Sequence, residues 1–321
     1  MERAFWLREP GRGEIRPVEL PSPGAGDVLV RTVYSAVSRG TEALVFRGGV
    51  PASQHEVMRA PFQEGDFPAP VKYGYLNVGV VETGPADLVG RTVFCLYPHQ
   101  TRYVVPASAV TVVPDAVPAA RAVLAGTVET ALNAVWDAAP QVGDRIAVVG
   151  GGMVGASVAA ILGRLPAVRV QLVDLDPSRA KIAEAIGVDF ALPGDALGGC
   201  DLVVHASASE AGLARALELL RAEGVCVELS WYGDRRVAVP LGEWFHSRRL
   251  TIRGSQVGTV SPNRPRSHAE RLATALELLA DPGFDALVTA ECRFDELPDA
   301  LPALINGEPS SACLRVTYDS D

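Results

Sequence analysis

The sequence predicts an α/β chain of two domains, an irregular β domain built from both ends of the chain and a doubly wound parallel sheet set between them. Three observations predict it. Roughly the first hundred residues are strand-patterned and heavily punctuated by proline and glycine, as in PSPGAGD, RGGVPAS and PFQEGDFPAP. From Asp144 onward, short apolar strands alternate with helical patterns, the signature of a parallel sheet covered on both faces. After LTIRGS the alternation loosens, and the chain closes on a last strand, CLRVTY. The expected boundaries are 1–127 with 256–321 for the β domain and 128–255 for the α/β domain.

In order along the chain, DVLVRTVYSAV alternates around Val28, Val30 and Val33, and KYGYLNVGVVETG carries a buried-strand pattern at Val78, Val80 and Val81. GRTVFCLYPHQTRYVVPA reads as two short strands broken at Pro98. ETALNAVWDAAP reads as a helix. RIAVVG, VRVQLVD, CDLVVHA and VCVELSW read as strands, separated by helices at GASVAAILGRL, DPSRAKIAEAIG and SEAGLARALELLRAEG. Asp176 before Pro177 is a cap followed by proline in the first turn. A further helix is expected at RLATALELLADPG.

Composition excludes several classes. A formal net charge of −9 and scattered arginines argue against nucleic acid or an anionic membrane as partner. The five cysteines form no CxxC pair, which suits reduced thiols in a cytosol and gives no metal framework. The charged N-terminal stretch is no signal peptide, and a cytoplasmic location is expected. The most apolar window, Ile146 to Leu162, has the length of a short membrane span. Its clustered glycines favour strand, turn and helix instead.

Those glycines make the strongest motif. Gly150, Gly152 and Gly155 form GxGxxG between a strand and a helix, with Met153 and Val154 opening that helix. The first glycine allows the tight turn, the second the approach of a pyrophosphate, and the third close packing of helix on strand. Amides and dipole at the helix start favour phosphate. Asp174 ends the second strand, where a carboxylate accepts ribose hydroxyls and repels a 2′-phosphate, so NAD is expected over NADP. Arg179 either reaches the adenosine ribose or is an ordinary exposed helix arginine.

With these parts in place, the chain resembles the medium-chain dehydrogenase/reductase superfamily over nearly its full length. The stretches that carry the resemblance are VELPSPGAGDVLV, GYLNVGVVETG, TALNAVWDAAPQVGDRIAVVGGGMVG and LTIRGS. It implies a GroES-like domain at both ends, a Rossmann domain between, and a homodimer through edge pairing of Rossmann sheets. It also assigns Arg39 and Arg315 to the cofactor pyrophosphate, which guanidinium suits. Arg39 could equally be a solvated loop residue, whereas Arg315 would otherwise be a puzzling inward charge on a strand. Leu229, Ser230, Trp231 and Thr130 fall where the family borders the nicotinamide ring.

The departures from the family are informative. Zinc-dependent members take metal ligands from a cysteine, from the histidine of a GHE motif and from a residue near the domain junction. This chain has Ser38, Gly74-Tyr75-Leu76 and Gly126 at the matching places, and it lacks the four-cysteine structural zinc lobe. No metal is therefore expected. SAVSRGTEALVFRGGVP, with serine in place of cysteine, resembles the bacteriochlorophyllide a dehydrogenase branch, which implies oxidation of a secondary alcohol with NAD.

Without zinc, a side chain must exchange the hydroxyl proton. Tyr75 takes the lost histidine's position, either as acid/base or as filler of the vacated volume. As a base it needs a cation to lower its pKa, and Lys72 is one candidate. Thr41 and Glu42 replace a polar relay or merely cap a loop. His99 and Gln100 fall where the family lines the substrate pocket, although a histidine in a PHQ turn is more often a surface residue. Ser38, Gln100 and Lys72 are assigned to the substrate side. Glu129 either faces the cleft or caps its own helix. The leading expectation is a metal-free NAD-dependent oxidoreductase of secondary alcohols and ketones, acting on a small molecule. The alternatives are a zinc-free enone or quinone reductase and an inactive nicotinamide-binding protein.

Overall fold

The structure, a computed structural model, describes residues 1–307 and 311–319. It divides into two compact units, Met1–Gly126 with Val288–Asp321, and Thr127–Leu287. The first is the GroES-like β unit and the second the Rossmann unit.

In the β unit, the long strand Asp27–Val37 is central because it is paired along three neighbours. It runs antiparallel to Asn77–Thr83, Arg102–Pro106 and Cys313–Thr317. The C-terminal strand thereby joins the N-terminal sheet, and Val288–Arg293 extends it in parallel. Thr92–Cys95 and Val110–Val112 complete the other side. The alternation read from Val28 and Val30 is the buried face of this sheet, packed with Val81, Val93, Tyr103 and Val105. A smaller sheet pairs Glu2–Glu9 with Arg12–Val18 and with Val71–Lys72. The strand pair expected around Pro98 forms as Thr92–Cys95 and Arg102–Pro106. Pro98 lies in the break because it has no amide to give a ladder.

In the Rossmann unit, six parallel strands lie in the order Asp189–Ala191, Arg169–Val173, Arg145–Val149, Cys200–His205, Leu220–Glu228, Thr251–Gly254. Chain order reverses between Arg145–Val149 and Cys200–His205, so the crevice at their carboxyl ends is the switch point where such sheets take ligands. The apolar window Ile146 to Leu162 resolves into strand, turn and the helix Met153–Leu162. No helix among the described residues is long and apolar enough to cross a membrane.

Two boundaries differ from expectation. The helix expected over 209–224 ends at Leu219, and Leu220–Glu228 is already strand, with a register irregularity against Cys200–His205. Leu220 to Glu223 favour helix by propensity, and pairing with Cys200–His205 overrides it. The return to the β unit comes at Val288 rather than at 256. The helix His268–Leu278 stays with the Rossmann unit because buried Arg271 donates to Glu129 Oε1 at 3.0 Å, Asn133 Oδ1 at 2.6 Å and the Val257 carbonyl at 2.6 Å. Glu129 is thus the acceptor of a buried ion pair inside the Rossmann unit. Burial raises its carboxyl pKa and Arg271 opposes the rise. Removing one partner of such a buried pair costs about 3–5 kcal/mol, enough to hold the segment.

Candidate active site and cofactor cradle

Each unit carries its own polar constellation. In the β unit the short helix Arg39–Phe46 begins directly after the central strand. Its start brings Ser38, Thr41 and Glu42 together, because one turn separates residues three and four apart. Glu42 is only 5% exposed. One carboxylate oxygen accepts the Ser38 amide at 2.7 Å and the other lies 3.0 Å from His99 Nε2. The cap expected of Glu42 is therefore real, and it uses only half of the carboxylate.

His99 is not a surface residue; it is 1% exposed. Its Nδ1 lies 2.7 Å from Ser35 Oγ, which lies 2.8 Å from the Tyr318 hydroxyl. An ionised carboxylate only accepts, so Nε2 carries the proton toward Glu42, Nδ1 accepts from Ser35, and Ser35 accepts from Tyr318. Gly74 makes room for this ring. It sits at φ +136°, and a Cβ there would meet His99 Cδ2 at 3.0 Å and Pro98 Cα at 3.3 Å. A larger residue before Tyr75 would displace the histidine.

Tyr75 is partly buried, with the Ser38 and Thr41 side chains near enough to its hydroxyl to oppose the rise in its pKa. Burial, reinforced by the Glu42 charge, pushes its pKa up to about 12. The expectation that Lys72 lowers it is not met. Fully buried Lys72 pairs with Glu64, donates to Gln100 Oε1 at 2.7 Å and lies 5.2 Å from the Tyr97 ring. Gln100 is buried as well, and its amide donates to the Arg102 carbonyl at 2.6 Å. Lys72 and Gln100 therefore satisfy each other inside the β unit, and neither is left to meet a substrate.

Arg315 also differs. Its guanidinium lies on Glu291 through two nitrogens, Nε at 2.8 Å, and donates to the Ala120 carbonyl at 3.2 Å. Glu291 answers the puzzle of an inward charge without a phosphate. Arg39 opens the helix and donates to the Ser311 carbonyl at 3.3 Å.

The donor set at the family's metal positions does not suit zinc. Ser38 and Tyr75 offer only hydroxyls, and Gly126 offers no side chain at all; a Cβ there would strike Leu76 Cδ2 at 2.7 Å. Tetrahedral zinc asks for converging imidazole, thiolate or carboxylate. Among the described residues no group of three or more His, Cys, Asp or Glu is placed to hold a metal ion.

In the Rossmann unit the three glycines have separable reasons. Gly150 sits at φ +110°, and a Cβ there would meet the Ser207 amide nitrogen at 2.7 Å. At Gly155 a Cβ would lie 1.9 Å from the Gly150 carbonyl oxygen. The fold itself demands glycine at both. Gly152, the N-cap of Met153–Leu162, is different, since a Cβ there would meet nothing within 4 Å. That open space above a helix start leaves room for a group to approach the helix amides. Met153 and Val154 supply the first turn.

Asp174 stands beside the glycine turn and accepts the Gly151 amide at 2.5 Å and the Asp176 amide at 2.8 Å. Arg179 is not exposed: it is 4% accessible, its stem packs on Gly151 (3.2 Å to a Cβ there), and its Nε lies 3.5 Å from Asp176. Leu229, Ser230 and Trp231 follow the strand Leu220–Glu228 as partly buried loop residues, and Thr130 lies one turn into the helix Ala125–Ala138. Sequence reasoning missed what stands beside them: His205, fully buried, with Nδ1 2.7 Å from Glu228 and Nε2 2.6 Å from Ser207. A histidine ending an apolar strand one residue short of the crevice was the available signal.

No protein-family model and no curated protein matches the chain. Solved structures do, over almost the whole length. The 2R,3R-butanediol dehydrogenase from Bacillus subtilis aligns with 18% identity and a TM-score of 0.79, over 99% of this chain and 100% of that one. Alcohol dehydrogenase TADH from Thermus sp. ATN1 aligns with 20% identity and a TM-score of 0.75, over 99% and 100%. A third neighbour, from Sinorhizobium meliloti 1021, described as a zinc-binding dehydrogenase and bound to NADP, aligns with 18% identity and a TM-score of 0.78, over 99% of each chain. The fold of this chain is that of medium-chain alcohol dehydrogenases, GroES-like plus Rossmann.

Proposed function

We propose that the chain is an NAD-dependent oxidoreductase that interconverts a secondary alcohol and a ketone on a small or medium-sized organic substrate, without a metal at the reacting oxygen. One observation carries the reading. Where the resemblance places metal ligands, the β unit holds proton-bearing groups: Tyr75 near Ser38 and Thr41, and Glu42 bonded to His99, whose other nitrogen meets Ser35 and through it Tyr318.

On this reading the Gly150–Gly155 turn and the start of Met153–Leu162 hold the pyrophosphate. Asp174 accepts from the adenosine ribose hydroxyls and disfavours a 2′-phosphate. Thr130, Leu229, Ser230 and Trp231 border the nicotinamide, and Arg39 is the remaining candidate for a phosphate contact from the β unit. The bound nicotinamide supplies the hydride donor or acceptor.

The side chains handle the proton. At neutral pH Tyr75 carries its proton, so in the reductive direction its O–H donates to the carbonyl oxygen as the carbon is reduced. The Ser38 and Thr41 hydroxyls hold that O–H in place. In the oxidative direction the same step runs in reverse, the substrate hydroxyl proton returning to the Tyr75 oxygen as the Tyr75 proton is passed on to solvent. Self-association through the Thr251–Gly254 edge of the Rossmann sheet and a cytoplasmic setting belong to the same reading; sedimentation tests the former.

The deciding experiment follows deuterium from 4-deuterated NADH into a panel of ketones and enones. Label on the carbinol carbon is expected. Label β to a retained carbonyl would replace this reading with the double-bond reductase. Tight NADH binding without transfer to any acceptor would indicate a binding protein.

A further inference from the structure

A second carboxylate–histidine–serine set lies wholly within the Rossmann unit, and the proton chemistry proposed above does not use it. Glu228, at the end of its strand, places Oε2 2.7 Å from His205 Nδ1, and its Oε1 accepts the Ser230 amide at 2.7 Å. The Tyr232 hydroxyl donates to Oε2 at 3.2 Å. Burial raises the Glu228 pKa, but the bonds from His205 and Ser230 outweigh it and leave the carboxyl below its ordinary value. Glu228 is thus an anion that accepts Nδ1–H. The other ring nitrogen, Nε2, is left as an acceptor 2.6 Å from Ser207 Oγ. Ser207 Oγ also lies 2.9 Å from Ser209 Oγ, which accepts the Gly212 amide; with Ser209 donating to Ser207, the Ser207 proton points at a base oriented by a carboxylate.

The backbone supports this placement. Ser207 lies between the end of strand Cys200–His205 and the start of helix Glu210–Leu219, and Ala208 after it is held at φ +52°. A non-glycine residue in that region is strained, and a sharp strand-to-helix turn is how a nucleophilic serine is lifted clear of a sheet. Gly212 leaves space for the set; a Cβ there would lie 2.1 Å from Ser207 Oγ and 2.9 Å from His205 Nε2. Ser35 in the β unit has the same neighbours but is fully buried, whereas Ser207 is partly exposed. Only the second serine is open to a reactant.

We propose that Ser207, His205 and Glu228 form an acyl-transfer site for small activated carboxylic esters. Ser207 Oγ bonds to the acyl carbon while its proton moves to His205 Nε2. That proton then leaves with the departing alcohol or phenol as the ester bond breaks. Water attacks the acyl-serine by the same route in reverse, freeing the acid and restoring Ser207. Glu228 is a positioning residue, holding the imidazole in the tautomer the serine needs. Of the first-turn amides of Glu210–Leu219, that of Gly212 is taken by Ser209 Oγ, which leaves those of Glu210 and Ala211 as the candidate donors for the developing oxyanion.

The probe is p-nitrophenyl acetate, added to the full chain without nucleotide, so that a failure to bind NADH would leave this test unaffected. A burst of about one nitrophenolate per chain is expected, with acetate on Ser207 by mass spectrometry. Ser207→Ala should abolish the burst. Glu228→Gln should slow it about tenfold or more and change its pH profile, which a merely structural contact would not do. Acetate absent from Ser207 in the unaltered chain, or a burst unchanged in Ser207→Ala, overturns the proposal. The mass measurement needs no variant, so it stands even if a variant fails to fold.

Discussion

His99 Nε2 lies 3.0 Å from Glu42 Oε2, with both side chains almost removed from water. The pair joins the start of a helix to a loop between two strands, and its remaining nitrogen and oxygen are also bonded. Such a pair is both a structural tie and a proton store. Glu42→Ala, which leaves His99 and the Ser38 amide without their acceptor, should cost about 3 kcal/mol in chemical denaturation. A loss below about 0.5 kcal/mol would make the pair an ornament of the loop.

Tyr75→Phe removes the proton donor and keeps the ring. Turnover should fall about 10²- to 10⁴-fold while the Kd for NADH stays unchanged. Unchanged turnover would leave Tyr75 as filler.

The same variant has an alkaline signature. With Tyr75 raised from 10.0 to about 12, the unfolded chain loses this proton first as pH climbs. The stability linked to Tyr75 is complete below pH 10 and is lost between about pH 10 and 12. Melting temperatures across that window should therefore fall less steeply in Tyr75→Phe than in the unaltered chain.

The two glycines at either side of Met153 and Val154 separate fold from function. Gly152→Ala places a methyl group in open space, so the melting temperature should hold while NADH affinity drops about tenfold or more. Gly155→Ala forces a methyl onto the Gly150 carbonyl and should destabilise the Rossmann unit itself. Equal NADH affinity in Gly152→Ala would remove the cradle from the cofactor site.

Asp174→Ser removes the charge beside the cradle and leaves Arg179 packed against Gly151. NADH binding should weaken about tenfold, the worth of a charge-assisted hydrogen bond, and NADPH binding should improve. Chelator treatment should change neither turnover nor melting temperature, and elemental analysis should find no stoichiometric zinc.

Much of the molecule was legible in its residues. Local patterns suffice where the decisive contacts are near in sequence, which is why the strands around Val28 and Val148, the glycine turn and Asp174 were readable. The side chains of the two polar sets were harder to place. Nothing in PHQ distinguishes a buried histidine from an exposed one, because its burial is produced by Ser35, Glu42 and Gly74 arriving from a strand, a helix and a loop elsewhere in the chain. The same holds for Lys72, Gln100 and Arg315. Each looked like a charge or amide awaiting a ligand, until Glu64, the Arg102 carbonyl and Glu291 occupied it.

By itself the sequence determined the two-unit architecture and the glycine turn between strand and helix, since periodicity, turn chemistry and backbone room at glycine are local properties. Only the tertiary structure decided which polar groups meet. A buried charge or imidazole must find its partner wherever the fold brings one within about 3 Å. For Glu42 and His99 that meeting was made between a helix and a loop, and for His205 and Glu228 between neighbouring strands, far apart along the chain in both cases.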